Sequence, residues 1–416
     1  MRITRKLSNR LLLAVLLGMT IPNIFVLWNS RGGLALGYGD FTSFYTAGTL
    51  LRRGLGAQLY DRDAQWNVQQ EFASEVKVRR GPLRYIRLPY EAALFAFFAI
   101  WSYPTALVLW TIFKLVLLLA IPFFCMRRQS WGEGFPPWIA GLLSLGTFPV
   151  FFDFLQGQDA VLITFIFAIA FWLLAREMDG WAGFVLGLAL FKFLLVLPFV
   201  VILWVAGKGR TAFGFVVAAV GAFAVSVAIV GWTALRQYPA YLLNLNRTPG
   251  VGVITAEYQV NFRGLLTLLV GRSTYPGSIH WILLPIALAA IVYAGRAWRR
   301  AAEGMLAEGF ALALLTSILT SYYSHVYDLT LLAVPFFALR GGYGRRSRDD
   351  LLTRVCEITG TLLLLLTPLY WFLVLHTGAV FFMAIPLIAV SVALLRRLNF
   401  AAADPARAPS FEGLQK

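Results

Sequence analysis

The chain has 416 residues, of which 59% are hydrophobic and only 13% charged, with a mean hydropathy of +0.72. This apolar share exceeds that of soluble domains, so we exclude a soluble fold and predict an all-α polytopic membrane protein. The formal charge of +16 does not indicate a nucleic-acid interface. Lys and Arg are spread between hydrophobic segments and are not gathered on one polar module.

The first element is a basic N-terminal segment followed by an apolar run at 11–28. No small-x-small cleavage site closes this long run, so we predict a retained first membrane span and not a signal peptide. The next segment, 29–88, is polar and is predicted to be a helical first extracytoplasmic loop. It holds an amphipathic run at 41–53, and Asp61 begins a second amphipathic run that it is expected to cap.

Eleven further apolar runs follow, which gives about twelve predicted transmembrane helices in a single membrane domain. These runs are 104–126, 138–152, 160–175, 181–191, 193–206, 211–231, 279–295, 307–321, 329–339, 351–375 and 380–395. An additional run at 89–101 is too short to span comfortably and is predicted to be a re-entrant or interfacial helix. A second long extracytoplasmic loop is predicted at 232–278.

The distribution of charge predicts the orientation of the chain. The short breaks FDFLQGQD, SYYSHVYD and HTG hold no Lys or Arg, whereas the intervening breaks are basic. Cytoplasmic segments carry the excess of positive charge, so we place both termini in the cytoplasm. The expected location is a bacterial-type inner (plasma) membrane. The predicted domains are a transmembrane domain at 1–396 and a disordered cytoplasmic tail at 397–416.

The sequence contains no familiar pattern for a metal or a cofactor. Its two cysteines form no CxxC pair, and HExxH, P-loop, Rossmann and GxSxG motifs do not occur. We therefore predict that the protein uses no metal and no cofactor. Nucleotide hydrolysis, dinucleotide redox chemistry and serine hydrolase chemistry are unsupported.

Asp40 is the first candidate for chemistry, because it stands just past the first predicted span and directly before the run 41–53. Asp is a preferred N-cap residue, so its carboxylate could cap a helix that begins there. A carboxylate in this place could also take the proton of a substrate hydroxyl at the membrane surface. The two roles are compatible if a substrate displaces the capping bond.

Lys192 interrupts the otherwise continuous apolar stretch GFVLGLALFKFLLVLPF. An ionisable group inside such a stretch is costly and indicates a functional site. We predict that two half-spans meet at Lys192 and place it at the floor of an outward-facing cavity, where its ammonium suits a phosphate. The alternative is that the side chain snorkels to the interface.

Two further sites lie on the predicted outer face. Arg263, in NFRG, is either a second phosphate ligand or an interfacial anchor. Gln158 and Asp159 stand in a polar turn with Gly157, and they are either sugar ligands or ordinary turn residues.

His325 and Asp328, in SYYSHVYDL, are three residues apart and share a face if the segment is helical. A metal site would require more ligands than this pair supplies. We favour contact with a sugar, or a hydrogen bond that orients Asp40, over simple helix capping.

Taken together, these motifs resemble glycosyltransferase family 87, the polyprenyl-phosphate-mannose-dependent mannosyltransferases of the GT-C superfamily. The similarity extends from about residue 40 to about residue 335, and it depends on the order and spacing of the motifs. They are DFTSFYTAG with Asp40 and Tyr45, LYD at 59–61, Tyr85, Pro89, Tyr103, Pro104, Trp110, GQ at 157–158, AGFVLGLALFK, NFRGLL and HVYDL.

The resemblance implies a GT-C-like fold, an extracytoplasmic active site, a polyprenyl-phosphate sugar donor and inversion at the anomeric carbon. Asp40 matches the first-loop aspartate of the family, its proposed catalytic base. We assign Lys192 and Arg263 to the donor phosphate, and the sugar or acceptor to Tyr45, Gln158, Asp159, His325 and Asp328.

The predicted function is the transfer of a sugar, with mannose as the first candidate, from the lipid donor to a hydroxyl of a glycan or glycolipid. The predicted partners are these two substrates and membrane lipids, with no nucleic acid. The alternatives are a transporter or flippase of a lipid-linked sugar and a catalytically idle scaffold. A transporter predicts functional polar residues on both membrane faces, whereas this chain concentrates them on the predicted outer face.

Overall fold

A computed structural model describes residues 5–76, 81–127, 136–245, 258–270, 279–301, 304–343, 351–378 and 380–403. Within these ranges the chain is mostly helical and contains no strand. The helices are α1 (Arg5–Ala35), α2 (Phe41–Arg52), α3 (Arg62–Ala73), α4 (Pro89–Phe98), α5 (Tyr103–Cys125), α6 (Pro137–Leu143), α7 (Phe148–Gln156), α8 (Ala160–Leu174), α9 (Asp179–Gly187), α10 (Phe193–Val205), α11 (Gly209–Leu245), α12 (Phe262–Val270), α13 (Ile279–Arg300), α14 (Leu306–Thr320), α15 (Ala333–Ala338), α16 (Leu351–Leu365), α17 (Thr367–Phe372) and α18 (Ala384–Ala403).

Four helical stretches in the described ranges are long and apolar enough to cross a membrane: α5, α11, Trp281–Arg300 and Phe381–Ala403. The pair α6–α7 and the pair α9–α10 also qualify when each is taken together, but they bend by 78° and 67°. The described residues therefore supply up to six spans. These features are those of an all-helical polytopic membrane protein, whereas the count of twelve spans stays a prediction.

Helix ends follow the local sequence. Pro89 opens α4, where its missing N–H costs no hydrogen bond. Gly157 ends α7 in the left-handed conformation at φ 67°, which favours glycine. Asp61 accepts a hydrogen bond of 2.7 Å from the backbone N–H of Ala64, so its predicted role as the cap of α3 is confirmed.

Several predicted boundaries differ from the structure. Helix α1 continues to Ala35, and α11 continues through a kink at Gly231 to Leu245, so both long loops begin later than predicted. Helix α18 extends to Ala403, and residues 397–403 are therefore helical. Residues 246–257 and 271–278 of the second loop, and 404–416 of the tail, lie outside the described residues.

Helices α9 and α11 pack closely because both present small residues at their contact. A Cβ atom on Gly183 would overlap the carbonyl oxygen of Thr211, and one on Gly214 would overlap that of Gly180. Gly187, one turn after Gly183, packs against Ala218. Small residues at this spacing let the backbones of membrane helices approach each other.

Replacing Gly183 with Leu is expected to force α9 away from α11, since the backbone of Thr211 occupies the space that the new side chain needs. We expect a loss of about 1–3 kcal/mol in the free energy of unfolding, as is usual for overpacked contacts. Thermal unfolding of the purified protein in detergent measures this. Gly221→Leu is the matched control, because a Cβ there meets no atom within 4 Å; equal losses in the two variants would contradict the prediction.

Two clusters of buried hydrophobic residues organise the described part of the chain. The smaller cluster contains Phe41, Phe95 and Trp110, and it joins α2, α4 and α5 to the kinked part of α11. The larger cluster is built mainly by α5, α7, α8, α10 and α14. Gly157 contacts Phe41 closely enough that a Cβ atom would overlap the Phe41 side chain. The two clusters therefore meet at the turn between α7 and α8, beside the start of α2.

Candidate active site

Lys192 lies at the bend between α9 and α10, in the short 3-10 turn Leu190–Lys192. Its side chain is buried, and its ammonium contacts two carboxylates, Asp159 Oδ1 and Asp328 Oδ1, each at 2.6 Å. Buried charges need such partners, because an unpaired ion outside water is very costly. The side chain is thus held by ion pairs inside the protein and does not reach out to an interface.

Asp159 links Lys192 to a second cation. Its fully buried carboxylate accepts hydrogen bonds from Arg87 Nε at 3.0 Å and from Arg87 Nη2 at 3.3 Å. The guanidinium therefore binds this carboxylate through two donors. Arg87, Asp159, Lys192 and Asp328 form a continuous network, which we call the four-residue ion network, and its two positive and two negative charges balance.

Asp328 has a structural role as well. Its Oδ2 accepts a hydrogen bond of 2.8 Å from the backbone N–H of His325, at the start of the 3-10 helix Val326–Leu332. Capping is therefore present at this position, whereas contact with a sugar or an orienting bond to Asp40 stays a prediction. The other oxygen of this carboxylate, Oδ1, binds the ammonium of Lys192, so Asp328 also belongs to the four-residue ion network.

Asp40 directly precedes α2, all of whose residues are described. Its carboxylate makes no hydrogen bond to the backbone of the first turn of that helix. Its Oδ2 accepts a hydrogen bond of 2.7 Å from Gln158 Nε2 instead. Gln158 is mostly buried, and its own Oε1 has no hydrogen-bond partner among the described residues. The side chain of Asp40 is therefore oriented by the turn between α7 and α8 and does not cap α2.

One cavity of about 420 Å³ joins these groups. Its polar lining contains Asp40, Gln158, Lys192, His325 and Asp328. The rest of the lining is largely aromatic and aliphatic, and includes Phe148, Phe152, Phe191, Leu242 and Val374. A substrate with a polar head and an apolar tail matches this separation of the lining into a polar and an apolar part.

Three predicted site residues lie outside the lining of this cavity: Tyr45, Asp159 and Arg263. Arg263 lines a different cavity of about 470 Å³, where its guanidinium stacks 4.2 Å from the ring centre of Tyr322. Phe193 and Leu194 line both cavities and form the wall between them. Tyr45 donates a hydrogen bond of 2.8 Å to the carbonyl oxygen of Trp101. The structure therefore does not bring Arg263 and Lys192 into one cavity.

The turn that carries Gln158 and Asp159 is fixed by α5. Lys114 Nζ binds Asp153 Oδ2 at 2.8 Å, and both side chains are fully buried. Asp153 Oδ1 in turn accepts the N–H of Ala160, just past the turn. Lys114 is not among the predicted site residues, although it interrupts the apolar run 104–126 as Lys192 interrupts its own. The cost of a charge inside a span would have indicated it.

Arg87 is not among the predicted site residues either, and no local sequence pattern distinguishes it. It stands two residues before Pro89, in a segment that holds Arg84 as well. Its partner Asp159 is 72 residues further along the chain. A pairing over this separation depends on the packing of helices and not on a local period.

The surroundings of His325 are expected to make the stability of the folded protein depend on pH. Burial, together with the nearby charges of Lys192 and Arg87, lowers the pKa of His325 from 6.5 to about 4, although Asp328 acts in the opposite direction. Since the unfolded chain binds the proton more strongly, the stability contributed by neutral His325 is complete above pH 6.5 and declines as the pH falls towards 4.

Replacing His325 with Gln should therefore reduce the loss of stability on acidification. Between pH 7 and pH 4.5, the free energy of unfolding should fall by on the order of 2 kcal/mol less in the variant than in the unmodified protein. Denaturant titrations at the two pH values measure this difference. Equal losses of stability in the two proteins would show that His325 has the same pKa in the folded and the unfolded chain.

In the described part of the chain, no three His, Cys, Asp or Glu side chains come together in a way that could hold a metal ion. The family of the chain follows from its similarity to known proteins. The family model described as glycosyltransferase family 87 matches residues 89–324, which is more than half of the chain. The chain belongs to glycosyltransferase family 87. No curated protein and no solved structure matches it.

Membership in glycosyltransferase family 87 confirms the predicted resemblance and supports a membrane glycosyltransferase. The matched range includes Gln158, Asp159, Lys192 and Arg263. Asp40 lies outside it, and so does the pair His325 and Asp328. The structure nevertheless places Asp40 and Asp328 on the same cavity as Lys192.

Proposed function

We propose that this family 87 protein transfers a sugar from a polyprenyl-phosphate donor to an acceptor hydroxyl on the extracytoplasmic side of the membrane. Mannose is the first candidate for the sugar, and a glycan or glycolipid for the acceptor. The observation that carries the proposal is the shared cavity, in which the Asp40 carboxylate and the cations of the site meet an apolar lining. A lipid-linked sugar combines these same properties.

Asp40 is the proposed general base. The hydrogen bond from Gln158 to Oδ2 holds the carboxylate towards the cavity, which favours proton abstraction from a bound hydroxyl. As that hydroxyl attacks the anomeric carbon, its proton passes to Asp40 and a new glycosidic bond forms. The bond between the anomeric carbon and the phosphate oxygen breaks, and attack from the opposite face inverts the configuration.

The leaving group of this reaction is a polyprenyl phosphate monoester, which takes the electron pair of the broken bond. It needs stabilisation of negative charge more than protonation, and fixed cations supply this in a site away from water. The cationic side of the cavity holds Lys192 and Arg87, together with Arg84. The reaction as proposed uses groups of the chain alone.

The experiment uses purified protein in liposomes with radiolabelled polyprenyl-phosphate mannose and a set of glycan and glycolipid acceptors. The proposed enzyme releases polyprenyl phosphate only when an acceptor is present, and the label moves to that acceptor. A flippase would move the labelled lipid between leaflets without releasing phosphate. An idle scaffold would do neither, and either of these two results would overturn the proposal.

A further inference from the structure

The cations around the cavity are not equivalent. Lys192 and Arg87 both belong to the four-residue ion network, in which Asp159 and Asp328 already balance their charges. A phosphate that approached Lys192 would have to compete with two carboxylates at 2.6 Å. These two cations are therefore poorly available to a new anion.

Arg84 lines the same cavity but does not belong to the four-residue ion network. No carboxylate among the described residues forms an ion pair with it, and its Nε is buried without a hydrogen-bond partner. A buried donor that lacks a partner is uncommon and costly in folded proteins. Such a donor on a cavity wall indicates a place where an anionic ligand supplies the missing acceptor.

The segment 83–88, which we call the arginine strap, is fixed before any ligand binds. It is not helical, so its peptide groups depend on side chains for their hydrogen bonds. Two glutamines of α3 bind it: Gln65 accepts a hydrogen bond from the N–H of Tyr85, and Gln69 bonds both the N–H and the carbonyl of Leu83. Three tyrosine hydroxyls donate to its carbonyl oxygens: Tyr60 to that of Arg87, Tyr238 to that of Ile86, and Tyr241 to that of Tyr85.

These supports come from two separate parts of the chain: α3 with the residues just before it, and the part of α11 beyond the Gly231 kink. They fix the backbone on both sides of Arg84, so less conformational freedom remains to be lost when its guanidinium binds an anion. Preorganisation of this kind is typical of binding groups and is not needed for a solvated surface arginine.

We propose that Arg84 binds the phosphate of the lipid donor, whereas Lys192 and Arg87 hold the carboxylates that shape the site. This inference rests on the proposed function and changes its assignment of the phosphate ligands. A guanidinium donates two parallel hydrogen bonds to phosphate oxygens. The phosphodiester of the donor has one negative charge, and the departing monoester has more, so the contact strengthens as the bond to the sugar breaks.

The test measures binding and not turnover. Purified protein in detergent is titrated with polyprenyl phosphate and, separately, with the uncharged polyprenol of the same chain length. The unmodified protein should prefer the phosphate by about tenfold to a hundredfold, the usual contribution of hydrogen bonds to a charged group. Arg84→Gln should lose most of this preference and keep its affinity for polyprenol, and Arg84→Lys should keep part of it.

Two matched Arg→Gln variants serve as comparisons. Arg53 lies on the surface, pairs with Glu71 and does not line the cavity. Arg53→Gln should therefore keep the full preference for polyprenyl phosphate. Arg263→Gln should also keep it, because Arg263 lines the other cavity. Retained preference in Arg84→Gln would overturn the inference and leave the proposed function standing. If the unmodified protein itself shows no preference for the phosphate, both the inference and the proposed donor are wrong.

Discussion

Asp40→Asn is expected to lower sugar transfer by about 10²- to 10⁴-fold, the usual contribution of a general base. The amide keeps the size of the carboxylate but cannot accept a proton from the acceptor hydroxyl at neutral pH. Because the Asp40 carboxylate makes no capping bond to α2, the substitution should leave that helix and the fold intact. Initial rates with labelled polyprenyl-phosphate sugar, together with unfolding temperatures, measure the two effects.

The matched control is Asp61→Asn, in the same segment of the chain. Asp61 caps α3 and does not line the cavity, so its replacement is expected to cost at most about 1 kcal/mol in stability and to leave the rate nearly unchanged. An Asp40→Asn protein that transfers sugar at the unmodified rate would rule out the base. A loss of activity that merely followed unfolding would assign Asp40 a structural role.

Lys192→Met is expected to have the largest effect on stability. Removing the ammonium leaves Asp159 with Arg87 alone and takes the cationic partner from Asp328, which stays buried. Breaking a buried ion pair in this way costs about 3–5 kcal/mol, because the remaining charge has no compensation. Unfolding of the purified variant in detergent should show this loss, and transfer should fall with it, since Asp159 and Asp328 would no longer be fixed.

Lys208→Met provides the comparison. Lys208 pairs with Asp179 at 3.3 Å, and both side chains are partly exposed, at 26% and 22%. Exposed pairs contribute about 0–1 kcal/mol, so this variant should keep nearly full stability. Similar losses in Lys192→Met and Lys208→Met would show that Lys192 is not held by a buried network.

Much of the local structure could be predicted from the sequence. The position of Lys192 inside an apolar stretch indicated two half-spans, and the structure has α9 and α10 meeting there at 67°. Asp61 was predicted to cap a helix and does so. Gly157 indicated a tight turn, and it ends α7 with a left-handed conformation. These features depend on near neighbours in the chain, so a single sequence contains the information for them.

At two positions the local sequence left open which partner a carboxylate binds. Asp40 has the residue type and position of an N-cap, yet its carboxylate binds Gln158, 118 residues away. Asp328 was expected to contact a sugar or to orient Asp40; its carboxylate caps the 3-10 helix and binds Lys192, and the sugar contact stays a prediction. A side chain with several possible partners chooses among them in the folded protein, where distant groups compete with near ones.

The sequence by itself thus determined the helical membrane class, the break at Lys192 and the family, because apolar runs and motifs are properties of neighbouring residues. Only the tertiary structure decided which charges neutralise one another. It paired Lys192 with Asp159 and Asp328, joined Arg87 to them, and left Arg84 on the cavity wall with no carboxylate partner among the described residues. The physical reason is that Coulomb energy depends on distance in space and on exclusion of water, and helix packing sets both.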